Sequence, residues 1–378
     1  MRKATFIKNT IGLILPLSIF FAGFQVFRKI DDIEARTFIP YNHTQIQYEG
    51  RVGVKTDAAE LYWPGTTLRI NFQGTGVDAL LKDEKGQNFY NVIIDGKNIQ
   101  RLKLDTTKRF YSLAKDLSPG KHTLELFKIT QYHKEYGRGF TKFFGFQLDN
   151  GKLLAPPKPK KNKIEFYGNS VTCGHAIEDT TGGDSGASKF ENNYLSYGAL
   201  TVRHFNAQYS CIAKSGIGLM VSWSPAIMPE IYNLTNPADS TSTWDFSKYT
   251  PDVVVVNLLQ NDAGIVNTPE HKEFKRRFGA SAPSQDFIIS SYKKFIQSLR
   301  REYPRANIIC TLGSMGVTQE GSKWPGYVSA AVASLGDKKV YVHFFPFKNS
   351  PGHPRLKDHR IMAQSLISFI ESHHLLKI

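Results

Sequence analysis

Cysteine is scarce in this sequence, with three residues in 378. Cys173, Cys211 and Cys310 lie far apart and form no Cys-x-x-Cys pair. This number and spacing indicate neither a disulfide framework nor a zinc site. Each cysteine lies in or beside an apolar run, so we expect all three to be buried as small hydrophobic side chains.

Nucleic-acid-binding motifs are also missing, because the sequence has no zinc finger, basic zipper or aromatic RNA-binding pattern. The formal net charge is nevertheless +15. We interpret this charge as a basic surface that tolerates anionic surroundings, with no nucleic acid partner. With 41% hydrophobic and 21% charged residues, the composition is that of a globular protein. The length allows two domains.

One uncharged, apolar stretch stands out at the N-terminus. Arg2, Lys3 and Lys8 precede residues 9–27, which is the order of a signal peptide or of an uncleaved membrane anchor. No good small-x-small cleavage motif follows, so both alternatives stay open. Either one would place the rest of the chain outside the cytoplasm, in the periplasm or secreted. We assign residues 1–35 to this segment.

Residues 36–150 have the pattern of short strands. Leu68, Ile70 and Phe72 alternate with polar residues, and a second alternating run leads into the hairpin signal Asp95-Gly96. Many short strands separated by glycine-rich turns predict a β-sandwich of the jelly-roll type.

Residues 151–163 contain three prolines and five lysines, which predicts a linker. From residue 164 onward, strand and helix patterns alternate. The fully apolar run Val253–Val256 is typical of a central parallel strand. Residues 284–302 have an amphipathic helical period that begins at the cap residue Ser284. Residues 164–378 are therefore predicted to form a three-layer αβα domain of the α/β class, with a parallel sheet between helices.

Four polar positions follow the predicted strands. Ser170 ends the turn Gly168-Asn169-Ser170, Gly216 and Asn261 follow later strands, and His353 precedes the last helix. Reactive groups of open α/β sheets gather at the carboxyl ends of the strands. A serine nucleophile, a histidine base and N–H donors for an oxyanion are the parts of serine hydrolysis. Taken singly, Ser170 could be a helix cap, Asn261 a turn residue and His353 a surface residue.

Together the four positions resemble the blocks of the SGNH (GDSL-type) hydrolases, in the same order. The stretches 168–174, 191–199 and 244–248 are similar to those of carbohydrate esterase family 2, which has a jelly-roll domain before the hydrolase domain. The resemblance implies Ser170 as nucleophile and His353 as general base. It also implies an oxyanion hole made by the N–H groups of Ser170 and Gly216 and the side chain of Asn261. Neither a cofactor nor a metal is implied.

The sequence departs from that resemblance at two positions. The usual acid, three residues before the histidine, is replaced by Ser350, and no carboxylate lies between Val342 and Lys357. We therefore expect a Ser-His dyad, unless a carboxylate from elsewhere in the chain orients His353. Leu259 stands where the wider superfamily usually has glycine, and its side chain could displace Asn261.

The remaining candidates have simpler interpretations. Trp324 is a candidate for stacking on a sugar ring, whereas Trp244 is expected in the core. Asp262 is expected to bond loop backbone. The other histidines considered are interpreted as structural or surface residues; they are His175, His204, His343 and His359.

The resemblance implies an exported esterase that removes O-acetyl groups from poly- or oligosaccharides, with a preference for primary (6-O) acetyl groups. The partner is then an acetylated carbohydrate. Two alternatives remain. One is a carbohydrate-binding protein whose hydrolase site is catalytically silent, and the other is an esterase or lipase acting on esters that are not sugar esters.

Overall fold

Two antiparallel sheets pack face to face in the first half of the chain, as the alternating pattern predicted. The computed structural model describes residues 36–377, and the predicted N-terminal segment 1–35 lies outside the described residues. The strands are β1 (Arg36–Pro40), β2 (Gln47–Glu49), β3 (Val52–Val54), β4 (Ala59–Leu61), β5 (Thr67–Gly74), β6 (Gly76–Asp83), β7 (Phe89–Ile94), β8 (Asn98–Lys103), β9 (Arg109–Ala114), β10 (Gly120–Lys128), β11 (Thr141–Asp149) and β12 (Lys152–Leu153).

In both sheets, most neighbouring strands are not consecutive in the chain, so the chain crosses from one sheet to the other between them. One sheet runs β3-β4-β11-β6-β9 with β1 also on β11, and the other runs β12-β5-β10-β7-β8 with β2 also on β5. Leu68, Ile70 and Phe72 point into the space between the sheets and are fully buried, which confirms the predicted period of two. The predicted linker 151–163 is in part ordered structure, because its residues Lys152–Leu153 pair with β5.

A parallel five-stranded sheet forms the centre of the second half. Its order is β14-β13-β15-β16-β17. Its strands are β13 (Lys163–Gly168), β14 (Gln208–Ala213), β15 (Val253–Asn257), β16 (Asn307–Leu312) and β17 (Val340–Phe344). The helices are α1 (Ser170–Cys173), α2 (Tyr197–His204), α3 (Met228–Ile231), α4 (Gln260–Val266), α5 (Lys272–Phe278), α6 (Gln285–Glu302), α7 (Trp324–Ala333) and α8 (Leu356–Ser372).

Helices cover both faces of this sheet, as the near-continuous apolar strands require. One core contains Tyr167 of β13 and the inner side of α6, and the other contains Phe166 of β13 with α2 and α8. The α6 helix begins after Ser284, whose hydroxyl accepts a hydrogen bond from the Phe287 amide, as predicted. The three-layer αβα architecture is therefore confirmed.

The strand register brings three strand ends to one level. Gly168 at the end of β13 lies opposite Ala213 of β14 and Asn257 of β15. The segments that follow these strands therefore leave the same edge of the sheet, and they carry Ser170, Gly216 and Asn261.

A buried ion pair joins the sandwich to the sheet domain. Arg51 beside β3 places Nη2 3.1 Å from Oε1 of Glu165 in β13, and both side chains are fully buried. The hydroxyls of Tyr167 and Tyr303 donate to the same carboxylate. An uncompensated charge at this depth would be costly, so the pair couples the two domains.

The three cysteines are buried free thiols, as expected from their apolar surroundings. Among the helices of residues 36–377, none combines the length and the apolar character needed to cross a membrane.

Candidate active site

Ser170 is the first residue of α1, directly after the end of β13. Asn169 caps this helix, because its side chain accepts a hydrogen bond from the Val171 amide at 3.1 Å. The hydroxyl of Ser170 is therefore not occupied by capping, and the interpretation of Ser170 as a simple cap does not hold.

A hydrogen-bonded chain links Ser170 to a carboxylate. His353 Nε2 lies 2.8 Å from Ser170 Oγ, and His353 Nδ1 lies 2.8 Å from Asp184 Oδ2. The backbone amide of His353 also donates to Asp184 Oδ1 at 2.9 Å. The order hydroxyl, imidazole, carboxylate is that of a catalytic triad.

The expectation of a Ser-His dyad is wrong, because Asp184 occupies the position of the acid. Ser350, at the usual position of the acid, is exposed, and its hydroxyl accepts a hydrogen bond from Lys348 Nζ at 3.0 Å. Asp184 reaches His353 from a loop that follows the nucleophile in sequence. A contact between residues 169 positions apart leaves no local spacing to detect.

Several groups hold Asp184 in place. Gly352 adopts a φ of +69°, and a Cβ there would lie 2.9 Å from Asp184 Cγ, so the close approach requires glycine. Arg355 Nη1 donates to Asp184 Oδ1 at 3.0 Å. The hydrogen bond from His353 holds the pKa of Asp184 well below its usual range, with a further contribution from Arg355 and against the opposing effect of burial. The carboxylate is therefore ionised at neutral pH.

Gly216, Trp223 and Asn261 form one hydrogen-bonded group at the edge of the sheet from which Ser170 also projects. Gly216 has a φ of +76°, and a Cβ there would lie 3.4 Å from Trp223 Cβ. The Trp223 amide donates to Gly216 O at 3.0 Å, and its indole Nε1 donates to Asn261 Oδ1 at 3.1 Å. Asn261 Nδ2 donates one hydrogen to Ile217 O at 2.7 Å, which leaves its second hydrogen for another acceptor.

The backbone conformation of Leu259 shows why glycine is usual at this position. It adopts a φ of +78°, in the left-handed region, and its side chain is fully buried. A non-glycine residue in this conformation costs roughly 1–2 kcal/mol. The side chain packs into the core below the site, and Asn261 remains in the first turn of α4, bonded to the Gly216 loop.

Asp262 has the structural role that was predicted. Its buried carboxylate accepts hydrogen bonds from the amides of residues 219–221 at 2.6–3.2 Å. Burial raises its pKa, and these hydrogen bonds act in the opposite direction. Asp262 thereby fixes the loop that follows Gly216.

One of the histidines interpreted as structural or surface residues lies next to the site. His175 is buried with its ring centroid 4.5 Å from that of His353, so it belongs to the surroundings of the site. Burial, and then the charge of His353, lowers the pKa of His175 to about 4. The other three have structural or surface contacts; these are His204 with Glu371, His343 with Ser365, and His359 with the Tyr197 amide.

Trp324 lies at the start of α7 and lines a cleft of about 690 Å³. Gln260 and Gly264 of α4 line the same cleft, so it borders the helix that carries Asn261. Trp244 is buried, as expected for a core residue.

Sequence reasoning missed Asp184 and Trp223. Asp184 lies in the run Gly182-Gly183-Asp184-Ser185-Gly186, where a carboxylate among glycines is a weak indication of a ligand loop. No sequence signal predicted the contacts of Trp223 with Gly216 and Asn261.

A family model and a solved structure that match this chain name the same family. The sequence pattern of the carbohydrate esterase 2 N-terminal domain matches residues 48–157. The structure of a family two carbohydrate esterase from Clostridium thermocellum, in complex with cellohexaose, is 34% identical with a TM-score of 0.77; the match covers 88% of this chain and 100% of that one.

Two curated proteins are similar over most of this chain. The Cellulase/esterase CelE of Acetivibrio thermocellus is 35% identical over 340 residues, which cover 86% of this chain and 39% of CelE. This chain therefore spans about two fifths of that relative. An acetylxylan esterase / glucomannan deacetylase of Cellvibrio japonicus is 26% identical over 85% of this chain and 87% of its own length.

Proposed function

Since the chain belongs to carbohydrate esterase family two, whose members are carboxylic ester hydrolases, we propose that it hydrolyses O-acetyl groups on poly- or oligosaccharides by serine catalysis. The observation that carries this proposal is the chain of hydrogen bonds from Ser170 through His353 to Asp184. The three groups are in contact without rearrangement, as nucleophilic catalysis requires.

The geometry supports a two-step acyl transfer. Ser170 Oγ attacks the acetyl carbonyl carbon while His353 Nε2 takes the hydroxyl proton. Asp184 accepts the hydrogen bond from His353 Nδ1–H, which fixes the tautomer and stabilises the imidazolium that forms. His353 then returns the proton to the sugar oxygen as the C–O bond breaks, and the sugar hydroxyl leaves. Water, activated by the same imidazole, attacks the acetyl-enzyme and releases acetate.

The negative charge of each tetrahedral intermediate needs donors that are already in place. The N–H groups of Ser170 and Gly216 and the free hydrogen of Asn261 Nδ2 are in our proposal these donors. Trp223 supports the arrangement because it contacts both Gly216 and Asn261. Fixed donors of this kind need no reorganisation during the reaction.

An acetylated polysaccharide is the substrate class that we propose. The Cellvibrio japonicus relative is named an acetylxylan esterase / glucomannan deacetylase, and the Clostridium thermocellum relative was solved with cellohexaose. The cleft lined by Trp324 offers an aromatic ring for a sugar. The alternative of a catalytically silent binding site depended on a missing acid and on Leu259 at the usual glycine position. Asp184 contacts His353, and Asn261 is bonded to the Gly216 loop despite Leu259, so neither departure favours this alternative.

Hydrolysis of short and long esters tests the proposal. We expect turnover of 4-nitrophenyl acetate, little turnover of a long-chain 4-nitrophenyl ester, and release of acetate from acetylated glucomannan or xylan. The Ser170→Ala variant is the matched control. Preference for the long-chain ester would contradict a carbohydrate esterase, and acetate release by Ser170→Ala would contradict the nucleophile.

We propose further that the protein works outside the cytoplasm, either secreted or held by an N-terminal anchor. The support is the order of Arg2, Lys3 and Lys8 before the uncharged residues 9–27. Fractionation of the native cells should recover the protein in the periplasmic, secreted or membrane fraction. Full-length protein in the soluble cytoplasmic fraction would contradict this.

A further inference from the structure

A loop of the β-sandwich reaches the active site of the other domain. Residues 129–140 connect β10 to β11, and a bridge between His133 and Arg138 closes the loop on itself. Gln131, His133 and Arg138 are all buried, although they belong to a surface connection of the sandwich. Loops usually run over the surface, so burial of three polar side chains here requires partners in the hydrolase domain.

His133 contacts the peptide unit that carries a proposed oxyanion donor. Its Nε2 lies 3.1 Å from Ser215 O. A carbonyl oxygen only accepts, so His133 Nε2 is the donor. Ser215 C=O and Gly216 N–H belong to one planar, trans peptide, in which the two groups point in opposite directions. The bond from His133 therefore fixes the direction in which Gly216 N–H points.

Gln131 holds the same segment from the other side. Its Oε1 accepts a hydrogen bond from the Ser215 amide at 2.6 Å, and its Nε2 donates to Ser215 Oγ at 2.6 Å. Nε2 also donates to Glu191 Oε2 at 2.6 Å. The side chain of Gln131 is fully buried, so these bonds are not exchanged with water. Ser215 is thus bonded at its amide, its hydroxyl and its carbonyl by one loop.

Arg138 connects this loop to the segment that carries the acid. Its guanidinium donates to the carbonyl of Gly186, two residues after Asp184, and pairs with the carboxylate of Glu191. The loop therefore contacts both the oxyanion segment and the acid segment of the site.

We propose that the β-sandwich is a positioning element of the active site, with His133 and Gln131 as positioning residues that orient the Gly216 N–H donor. This inference rests on the proposed function, since it assigns a role in the same reaction. The sandwich then contributes to the rate of the chemical step, through residues that touch neither substrate nor reacting atoms.

His133→Phe is the main test. The phenyl ring keeps the stacking on Tyr136, whose ring centroid lies 3.9 Å away. It removes the Nε2 donor, together with the contact of Nδ1 with Glu135 Oε2 at 3.2 Å on the exposed side of the loop. Loss of a whole oxyanion donor costs about 10²–10³ in kcat. A donor that is present but free to turn should cost less, so we expect kcat on 4-nitrophenyl acetate to fall about 10- to 100-fold, with KM unchanged. His133→Gln places an N–H near the position of Nε2 and should restore most of kcat.

Gln131→Met gives an independent comparison, because it keeps the length of the side chain and removes both bonds to Ser215, together with the bond to Glu191. It serves in place of His133→Phe if that variant does not accumulate as folded protein. Lys134→Ala is the control within the same loop, as this lysine is exposed. Thermal unfolding of every variant separates loss of positioning from loss of folded protein.

Three outcomes decide the inference. A selective fall in kcat with His133→Phe or Gln131→Met, and recovery with His133→Gln, supports it. Wild-type kcat in both folded variants, in a protein that Ser170→Ala inactivates, overturns the inference and leaves the proposed function intact. Absence of ester hydrolysis by the unmodified chain overturns the proposed function, and the inference with it.

Discussion

Replacing Asp184 by asparagine should be more damaging than replacing it by alanine. Asp184 Oδ1 accepts from the His353 amide at 2.9 Å and from Arg355 Nη1 at 3.0 Å. In Asp184→Asn, the amide oxygen will face these two donors, and the NH2 group will face His353 Nδ1. Nδ1 must then accept a hydrogen bond, so the ring proton moves to Nε2 and points at Ser170 Oγ. An imidazole in that tautomer cannot take the serine proton.

For this reason the two variants should lower kcat by different factors. The wrong tautomer lowers kcat by about 10⁴ in triads of this type, which corresponds to about 5.4 kcal/mol. Asp184→Ala leaves the tautomer free. It removes the bonds to the His353 amide and to Arg355, and the loss that acts on the chemical step is the hydrogen bond to the imidazolium, worth about 1.5–3 kcal/mol. That energy corresponds to a loss of about 10- to 150-fold.

Initial rates on 4-nitrophenyl acetate, with kcat and KM determined separately, measure both effects. Asp57→Asn, which neutralises an exposed carboxylate on the sandwich, is the control and should be unchanged. Equal or greater activity of the asparagine variant relative to the alanine variant would refute the reasoning. So would an asparagine variant within tenfold of wild type.

Three further predictions concern single positions. Asn261→Ala should lower kcat about 10²–10³-fold by removing one oxyanion donor, and an unchanged kcat would remove Asn261 from the mechanism. Ser350→Asp should leave kcat within about twofold of wild type, because Asp184 already accepts the hydrogen bond of His353 Nδ1. A tenfold gain would require the new carboxylate to lower the activation barrier by about 1.36 kcal/mol. A large gain would show that the triad is incomplete. Burial lowers the pKa of His359 to about 3. Below pH ~6.5 the unfolded chain therefore binds a proton that the folded chain does not, so this part of the stability is present above pH 6.5 and is lost as the pH falls. The loss amounts to about 2 kcal/mol between pH 6.5 and 4.5. His359→Asn keeps an acceptor for the Tyr197 amide, and its urea midpoint should fall less steeply over this range; equal slopes would contradict the assignment.

Local chemistry made much of the fold predictable. The alternation at Leu68, Ile70 and Phe72, the β-branched run that became β15 and the cap at Ser284 each depend on neighbours within a few residues. The position of Ser170 at a strand end also followed from local pattern. The roles of Ser170, His353, Gly216 and Asn261 in catalysis stay predictions, although the structure brings Ser170 and His353 into contact.

Contacts between distant segments were not predictable. Asp184 reaches His353 only because the Asp184 loop folds over the site and Gly352 leaves room for its carboxyl group. Leu259 looked like a departure that could damage the site, since the sequence does not reveal that its side chain points into the core while its backbone keeps the conformation of glycine. In both cases the decisive quantity is a tertiary distance or a backbone angle.

The buried pair of Arg51 and Glu165 limits how the gene of such a protein can be rearranged. If recombination replaced the sandwich by an unrelated one, Glu165 would remain in the core without its counter-charge. Breaking a buried pair in this way typically costs about 3–5 kcal/mol, a large fraction of the 5–15 kcal/mol that stabilises an ordinary domain. Exchange of the two halves as separate cassettes should therefore yield unstable chimeras. Fusions that carry residues 36–377 as one block, with new partners joined outside it, avoid this loss.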